Sequence, residues 1–279
     1  MKRFLGVFLF STIAANFAEA RSVAEIAKSK ELRVGMRDRD LVYHSTGAKQ
    51  LHTLIAERFA DYVGKKASNV VVSKIVVSKD MANYWANDKG EVKQGEEYTP
   101  KFFSQVDIYT DVLTVNAWRQ KLATSIPFLP IKESFLCNFK AGKMTFARIK
   151  AEKVKLITVK ASSFHTIISK AGFADGDLIF VDDTGNVIPK VETATGNACT
   201  LLDSDFALFK SKSSKVTFAG AAGETTQALA WWVPKENKEL ATLAQSFWKE
   251  FQKSPEWTKL FKESYGMEFS DYLNIVGSL

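Results

Sequence analysis

The sequence predicts an α/β protein built from two lobes. Short runs rich in Val and Ile alternate with segments whose apolar residues recur at helical spacing, and this alternation is typical of parallel sheets covered by helices. The alternation starts again after Pro130, which indicates a second lobe. Behind the N-terminal leader described below, roughly 260 residues remain, enough for two lobes of about a hundred residues or more.

The first half of the chain supplies a regular series of elements. A short helix, a buried strand, an amphipathic helix and a Val-rich strand are expected in this order, at 25–30, 32–35, 50–63 and 68–77. Residues 80–105 show no clear periodicity and are expected to form a helix and an irregular excursion. A β-branched strand follows from Val106.

The second half repeats the pattern. Four more strands are expected, at 133–140, 154–159, 178–181 and 198–202. Ser162 and Ser163 open a helix that extends to Lys170. After the Gly-rich segment 220–223 come a strand at 228–233 and two amphipathic helices at 239–252 and 256–265. Two crossings, near 126–132 and 220–228, would join the lobes.

The N-terminus has the features of a secretory leader. Lys2 and Arg3 precede a mainly apolar stretch at 4–17, and Ala18-Glu-Ala20 has the small-x-small pattern of a cleavage site. A membrane-spanning helix needs roughly 20 apolar residues, and this stretch is shorter and interrupted by polar side chains. We therefore predict a signal peptide at 1–20, cleavage after Ala20, and a soluble periplasmic protein without a lipid anchor, since no cysteine follows the apolar run.

Composition excludes several classes of function. The net charge is +7 and the isoelectric point is near 9.2, but the lysines are scattered without a basic run or a binding motif, so we predict no nucleic-acid partner. The three histidines lie far apart in sequence, so neither a metal site nor a cofactor is expected. Cys137 and Cys199 are the only cysteines, and an oxidising periplasm permits a disulfide, although two buried thiols are an equal alternative.

The most informative stretch surrounds Arg119. The strand that starts at Val106 ends in a short polar turn, Thr114-Val-Asn116-Ala-Trp-Arg119, and a proline-bracketed extended segment follows at 124–130. A guanidinium presents a fork of donors that matches a carboxylate with two parallel hydrogen bonds. Between a strand end and a helix start, backbone N–H groups would help to bind a small anion. The alternative is a surface arginine in an ordinary βα unit.

This order resembles the middle of the type II periplasmic solute-binding proteins, in particular the polar amino-acid-binding family, bacterial extracellular solute-binding protein family 3. In that family a strand ends in a Thr-x-Thr-x-x-Arg turn, and a crossing strand leads into the second lobe. The C-terminal Lys262-Glu-Ser-Tyr-Gly266 is similar to the Lys-Tyr-Phe-Gly ending of the family. The resemblance implies two lobes, each a mainly parallel sheet flanked by helices, joined by a two-stranded hinge. It places lobe 1 at 21–128 plus 229–279 and lobe 2 at 129–228.

The resemblance also implies a ligand site. Arg119, helped by Thr114 and Asn116, would hold the ligand carboxylate from lobe 1. Ser162 and Ser163 match the Gly-Thr-Thr element of the family by position, and Asp203 occupies the position that pairs with a ligand ammonium. The alternatives are a helix cap for the serines and a turn or strand-end cap for Asp203.

The loop after the first strand departs from the family. The family has an aspartate there, followed by an aromatic platform, whereas this chain has Arg37 and Asp40 in those positions and keeps one aromatic at Tyr43. We include Arg37 and Tyr43 among the candidate ligand-binding residues. The change of charge indicates either a ligand more acidic than a simple amino acid or a cleft with another role.

The predicted function is periplasmic binding of a small polar solute, an amino acid or related carboxylate, in a cleft between the lobes. A monomer would then deliver the solute to an ABC-type permease or present it to a sensor. Neither a Gly-x-Ser-x-Gly elbow nor a phosphate-binding glycine loop occurs, so an enzyme is not expected. A ligand-free accessory module that docks on a partner is the alternative, and a periplasmic enzyme such as a dehydratase is a further one.

Overall fold

The computed structural model describes residues 21–36, 45–46, 49–64, 71–76, 85–93, 95–160, 162–182, 184–213 and 215–278. The predicted signal peptide and the candidate site residues Arg37 and Tyr43 lie outside these ranges. Among the described residues, no helix has the length and apolar character that a membrane span requires.

Twelve strands are described in these ranges. In chain order they are β1 (Glu31–Met36), β2 (Ser45–Thr46), β3 (Lys49–Gln50), β4 (Val71–Val76), β5 (Ile108–Thr114), β6 (Ala123–Ile131), β7 (Glu133–Cys137), β8 (Lys155–Val159), β9 (Leu178–Val181), β10 (Ala198–Asp203), β11 (Thr217–Ala221) and β12 (Gln227–Pro234).

Ten α-helices accompany them in the same part of the chain. They are α1 (Val23–Ser29), α2 (Leu51–Gly64), α3 (Ala117–Gln120), α4 (Phe146–Ala151), α5 (Ser163–Lys170), α6 (Val187–Glu192), α7 (Ser204–Ser213), α8 (Lys238–Phe251), α9 (Pro255–Tyr265) and α10 (Phe269–Ser278).

The strands form two five-stranded sheets, in the orders β4-β1-β5-β12-β6 and β11-β7-β10-β8-β9, with β2 and β3 as a separate small pair. The predicted two-lobed α/β fold class is confirmed, with one refinement to the expectation of mainly parallel sheets. In each sheet three neighbouring strands pair in parallel, and the other two pairings are antiparallel. The antiparallel pairings involve β6, β7, β11 and β12, because a chain that crosses to the other sheet and returns beside itself runs in opposite directions.

The two crossings lie side by side. β6 ends at Ile131 and β7 begins at Glu133, while the return runs from β11 to β12. β12 pairs with β6 along its whole length, from Gln227 opposite Ile131 to Pro234 opposite Ala123. This arrangement has the form of the two-stranded hinge that the sequence predicts. The exact division at residues 128 and 228 stays a prediction.

A disulfide joins Cys137 and Cys199, which resolves the alternative that the sequence left open. The two cysteines face each other directly in the antiparallel pair of β7 and β10. Both are fully buried in the core of the second sheet. The core of the first sheet is larger and is rich in aromatic side chains from α2, β12 and the C-terminal helices, including Phe59, Trp231 and Trp248.

Most predicted elements occur within a few residues of their expected positions. Seven strands and α-helices of the described part of the chain were not predicted: β2, β3, α4, α6, α7, β11 and α10. The expectation of a helix within 80–105 is wrong for the described part of this segment, where a single 3-10 turn at Lys101–Ser104 is the helical element. Its aromatic residues instead pack on the first sheet, with the rings of Trp85 and Trp232 5.1 Å apart. A non-periodic pattern of aromatics suits this packing better than a helical face.

Candidate functional site

Arg119 is held by its own turn. Thr114 ends β5, and the Oδ1 atom of Asn116 caps α3 by accepting a hydrogen bond from the Arg119 backbone N–H at 3.0 Å. The Arg119 Nη1 atom donates to the Thr114 carbonyl at 2.7 Å. The guanidinium carbon lies 5.3 Å from the centre of the Trp118 ring and 5.8 Å from that of Trp85. Thr114 and Asn116 therefore fix the position of a half-buried guanidinium.

Ser162 and Ser163 lie at the corresponding edge of the second sheet. Ser162 caps α5, because its Oγ atom accepts a hydrogen bond from the His165 N–H at 3.1 Å. Ser163 is the first residue of α5 and is exposed. The preceding strand, β8, pairs in parallel with β10, so the serines follow the same edge at which β10 ends. The cap is confirmed, and contact of the serines with a ligand stays a prediction.

Asp203 is the last residue of β10, and α7 begins directly after it. Its Oδ1 atom is shielded from solvent and has no hydrogen-bond partner among the described residues. Burial raises the pKa of this carboxyl well above its usual range, and the negative charges of Asp205 and Glu133 raise it further. The positive charge of Arg119 lowers the same pKa. Arg119, which follows a strand of the first sheet, thus acts electrostatically on a carboxyl at a strand end of the second.

Glu133 is a buried acid beside Asp203 that the sequence analysis did not single out. It begins β7, lies directly opposite Asp203 in the β7–β10 pair, and is 9% exposed. Its carboxylate accepts a hydrogen bond from Gln227 Nε2, at the start of the returning strand β12. Burial raises the pKa of Glu133. The available signal was a charged residue at the head of a strand whose other residues are apolar or small.

Asp205 and two tyrosines form a buried polar layer next to these acids. Asp205 is 1% exposed, and burial raises its pKa to about 6, although backbone hydrogen bonds and the Tyr265 hydroxyl lower it. The Tyr272 hydroxyl on α10 donates to the Pro130 carbonyl at 2.6 Å and lies 3.2 Å from Ser204 Oγ. Burial raises the pKa of Tyr272, and the charge of Asp205 adds to this. The C-terminal helix α10 therefore contacts both the crossing strand and the start of α7.

The candidate residues thus fall into three groups. Arg119, Asp203 and the additional Glu133 are connected through charge and strand pairing. Thr114 and Asn116 support Arg119, and the serines occupy the neighbouring strand end. Arg37 and Tyr43 lie outside the described residues.

Comparison with known proteins establishes the fold. No protein-family model and no curated protein matches the chain. Among solved structures, a variant of ArgBP from T. maritima matches with a TM-score of 0.64 and 14% identity, covering 88% of this chain and 99% of that one. A putative binding component of an ABC transporter from Wolinella succinogenes, complexed with lysine, also has a TM-score of 0.64, with 15% identity and coverage of 88% and 99%.

A third match is the ancestral amino acid-binding protein AncCDT-1, described as a precursor of cyclohexadienyl dehydratase. Its TM-score is 0.64 at 15% identity, with coverage of 87% of this chain and 99% of that one. At such identities the likeness concerns the fold alone. The predicted resemblance to two-lobed solute-binding proteins is confirmed at that level, across most of the chain.

Proposed function

We propose that this protein is a periplasmic solute-binding protein that binds a small zwitterion, an amino acid or a close relative, between its two lobes. The observation that carries the proposal is the Asp203 Oδ1 atom, which is buried and unpartnered among the described residues while the charge of Arg119 acts on the same carboxyl. Buried polar atoms are normally paired, so such an exception calls for an explanation. A ligand ammonium would supply the missing partner.

Each end of a zwitterion has a matching group. Arg119 binds the ligand carboxylate, because its guanidinium offers paired donors and is held in place by Thr114 and Asn116. Asp203 binds the ammonium. Ser162 and Ser163 add backbone and hydroxyl donors for the carboxylate from the second lobe. Arg37 and Tyr43 complete the proposed site from the loop after β1.

The comparisons support binding as the function. The three solved neighbours are described as ArgBP, a lysine-complexed binding component of an ABC transporter and an ancestral amino acid-binding protein. The proposal also includes delivery of the solute to an ABC-type permease or a sensor. Closure of the lobes around the solute would create the surface that such a partner recognises. Export through the predicted signal peptide at 1–20 and a monomeric state are added from the sequence analysis.

One structural neighbour is related to an enzyme. AncCDT-1 is described as a precursor of a dehydratase, and the same fold can therefore acquire catalysis. We propose binding without turnover. The bound solute should therefore be recovered unchanged after prolonged incubation. A chemically altered solute would favour the enzyme, and a folded protein that binds none of the solutes tested would favour the accessory module.

The test uses thermal unfolding and isothermal titration calorimetry of residues 21–279. The ligands are L-arginine, L-lysine, L-glutamine, L-glutamate, succinate and dipeptides. A ligand at about a hundred times its dissociation constant stabilises the folded state by roughly 2.7 kcal/mol, which raises the midpoint by several degrees. The variant Arg119→Ala is expected to abolish binding of the solute that gives the shift.

Arg58→Ala is the matched control, because Arg58 is an exposed arginine paired with Glu256 on the first lobe. Exposed ion pairs contribute little, so this variant should bind as the wild type does. Unchanged affinity in Arg119→Ala would overturn the assignment of the site.

A further inference from the structure

Two buried acids face each other at the edge of the second sheet. Glu133 and Asp203 are directly opposite in the β7–β10 pair. Directly opposed residues in an antiparallel pair have their Cβ atoms about 4.5–5.5 Å apart and project to the same face, and like charges in such a pair destabilise it. Two charged carboxylates in these positions would therefore destabilise the ligand-free protein, unless another group offsets their repulsion.

Among the described residues, one positive charge acts on Asp203, and Glu133 receives hydrogen bonds from neutral donors. Arg119 lowers the pKa of Asp203. The hydrogen bonds that lower the pKa of Glu133 come from its own backbone N–H and the Gln227 amide, and both donors are neutral. The third acid, Asp205, accepts a hydrogen bond from the Tyr265 hydroxyl through Oδ2 at 3.5 Å, and backbone N–H groups lower its pKa. Its Oδ1, like that of Asp203, has no hydrogen-bond partner among the described residues.

A simple zwitterion does not balance these charges. Its carboxylate would neutralise Arg119 and its ammonium would neutralise Asp203, which leaves Glu133 buried beside the ligand with an amide as its hydrogen-bond donor. A buried carboxylate without an opposing charge is costly, whereas a well-placed cation offsets much of that cost. Burial raises the pKa of both acids, so a proton can offset part of this cost in the empty protein, and a second positive charge on the ligand would take the place of that proton. Arg37, in the loop after β1, is the other candidate cation and would favour an acidic ligand instead.

We propose that Glu133 is a specificity-determining residue that pairs with a second cationic group, so that the ligand is a dibasic amino acid. This inference rests on the proposed function and narrows its ligand class. Glu133 and Asp203 then form one acidic subsite on the second lobe, opposite the carboxylate-binding Arg119 on the first. An acidic ligand, which Arg37 would favour, is the opposite outcome and is included in the test.

The experiment compares two ligands of the same shape and different charge. L-Arginine carries a guanidinium where L-citrulline carries a neutral urea group. Isothermal titration of residues 21–279 is expected to give an affinity for L-arginine at least about tenfold higher than for L-citrulline. In Glu133→Gln this preference should fall to within about threefold, mainly through weaker binding of L-arginine.

Glu152→Gln is the matched control, since Glu152 is a partly exposed carboxylate paired with Arg148 on the far side of the second lobe. It should retain the wild-type preference. A Glu133→Gln variant that keeps the full preference would overturn the role of Glu133. The ratio in the wild type is a test that needs no variant: equal affinity for both ligands, or tighter binding of L-glutamate, would overturn the dibasic ligand class.

The two proposals fail in different ways. If a neutral or acidic amino acid binds and Arg119→Ala abolishes that binding, the proposed function stands and the assignment of Glu133 is wrong. If binding is insensitive to Arg119→Ala, the proposed site itself is wrong.

Discussion

Two aspartates at opposite ends of two strands show how differently a buried carboxylate can be used. Asp107 precedes β5 and has a side chain that is 0% exposed. It accepts hydrogen bonds from Arg21 Nε at 2.8 Å and from the Arg33 backbone N–H at 2.7 Å, and both guanidiniums pair with it. Asp203 ends β10, and its buried Oδ1 has no partner among the described residues.

The two aspartates differ in how many of their hydrogen-bond partners the protein itself supplies. At the amino end of β5 the chain supplies every contact that the carboxylate needs, and these contacts join the start of the described chain to β1 and β5. At the carboxyl end of β10 the contacts are incomplete, and ligands in α/β sheets bind at this end of the strands. Asp107 therefore stabilises the first lobe, whereas Asp203 is the residue that we propose for ligand binding.

The largest expected effect concerns the disulfide that fixes the strand pair beneath Asp203. The Cys137→Ser, Cys199→Ser double variant opens a link between residues 62 apart, which the chain-entropy model values at about 4 kcal/mol of unfolding free energy. Urea titration measures this loss. Ligand affinity of the folded variant should stay within about threefold of the wild type, because backbone pairing still holds Asp203 opposite Glu133. A variant that loses ligand affinity but keeps the stability of the wild type would contradict both expectations.

Asp107→Asn is expected to cost roughly 3 kcal/mol, because charge-assisted bonds from two arginines are weakened at a fully buried position. Thermal unfolding should show a midpoint lower by several degrees, with ligand affinity unchanged. Asp61→Asn, at an exposed carboxylate on α2, is the control and should unfold as the wild type does. A strong effect of Asp107→Asn on affinity would erase the contrast with Asp203.

The pH dependence of stability tests the acid layer near Asp203. The pKa of Asp205 is about 6 in the folded state, above its value of about 3.9 when unfolded, so the folded state binds this proton more tightly. Asp205 therefore adds about 3 kcal/mol to the free energy of unfolding below pH 4. This contribution is lost as the pH rises through 6.

Asp205→Asn should remove this part of the pH dependence. The free energy of unfolding, measured in urea from pH 4 to pH 8, is expected to decline less with rising pH in the variant than in the wild type. Identical slopes in the two proteins would show that Asp205 does not titrate in this range.

The smallest predicted effect concerns Ser162. Replacing it with alanine removes the cap of α5 and should cost about 1 kcal/mol of unfolding free energy. Ser254→Ala, which removes the equivalent cap of α9, is the matched control for stability. Affinity should fall in Ser162→Ala alone if this helix start contributes to the ligand site. Equal affinity in both variants would restrict Ser162 to the role of a helix cap.

The elements that the sequence predicted are those with a local signal. Arg119 lies in the turn after a β-branched strand and Asp203 ends an apolar one, so both places could be derived from nearby residues. The supporting role of Asn116 follows from capping chemistry in the same turn.

The features that were missed depend on residues far apart in the chain. Glu133 joins the proposed site through its register with Asp203 and its hydrogen bond from Gln227. The helix α10 packs through Tyr272, which bonds to Pro130 and lies beside Ser204. The disulfide, which the sequence left as one of two alternatives, depends on the same strand register. No pattern within a short window of sequence specifies such pairings.

The most direct test of the central claim is isothermal titration of Asp203→Asn with the solute that stabilises the wild type. The predicted result is a loss of affinity of at least about a hundredfold with an unfolding midpoint equal to or above that of the wild type. Asparagine removes a buried acid whose ionised form is disfavoured by burial and by the charges of Asp205 and Glu133, and it also deprives the ligand ammonium of its partner. Wild-type affinity in this variant would contradict the claim that the carboxylate of Asp203 binds the ligand ammonium.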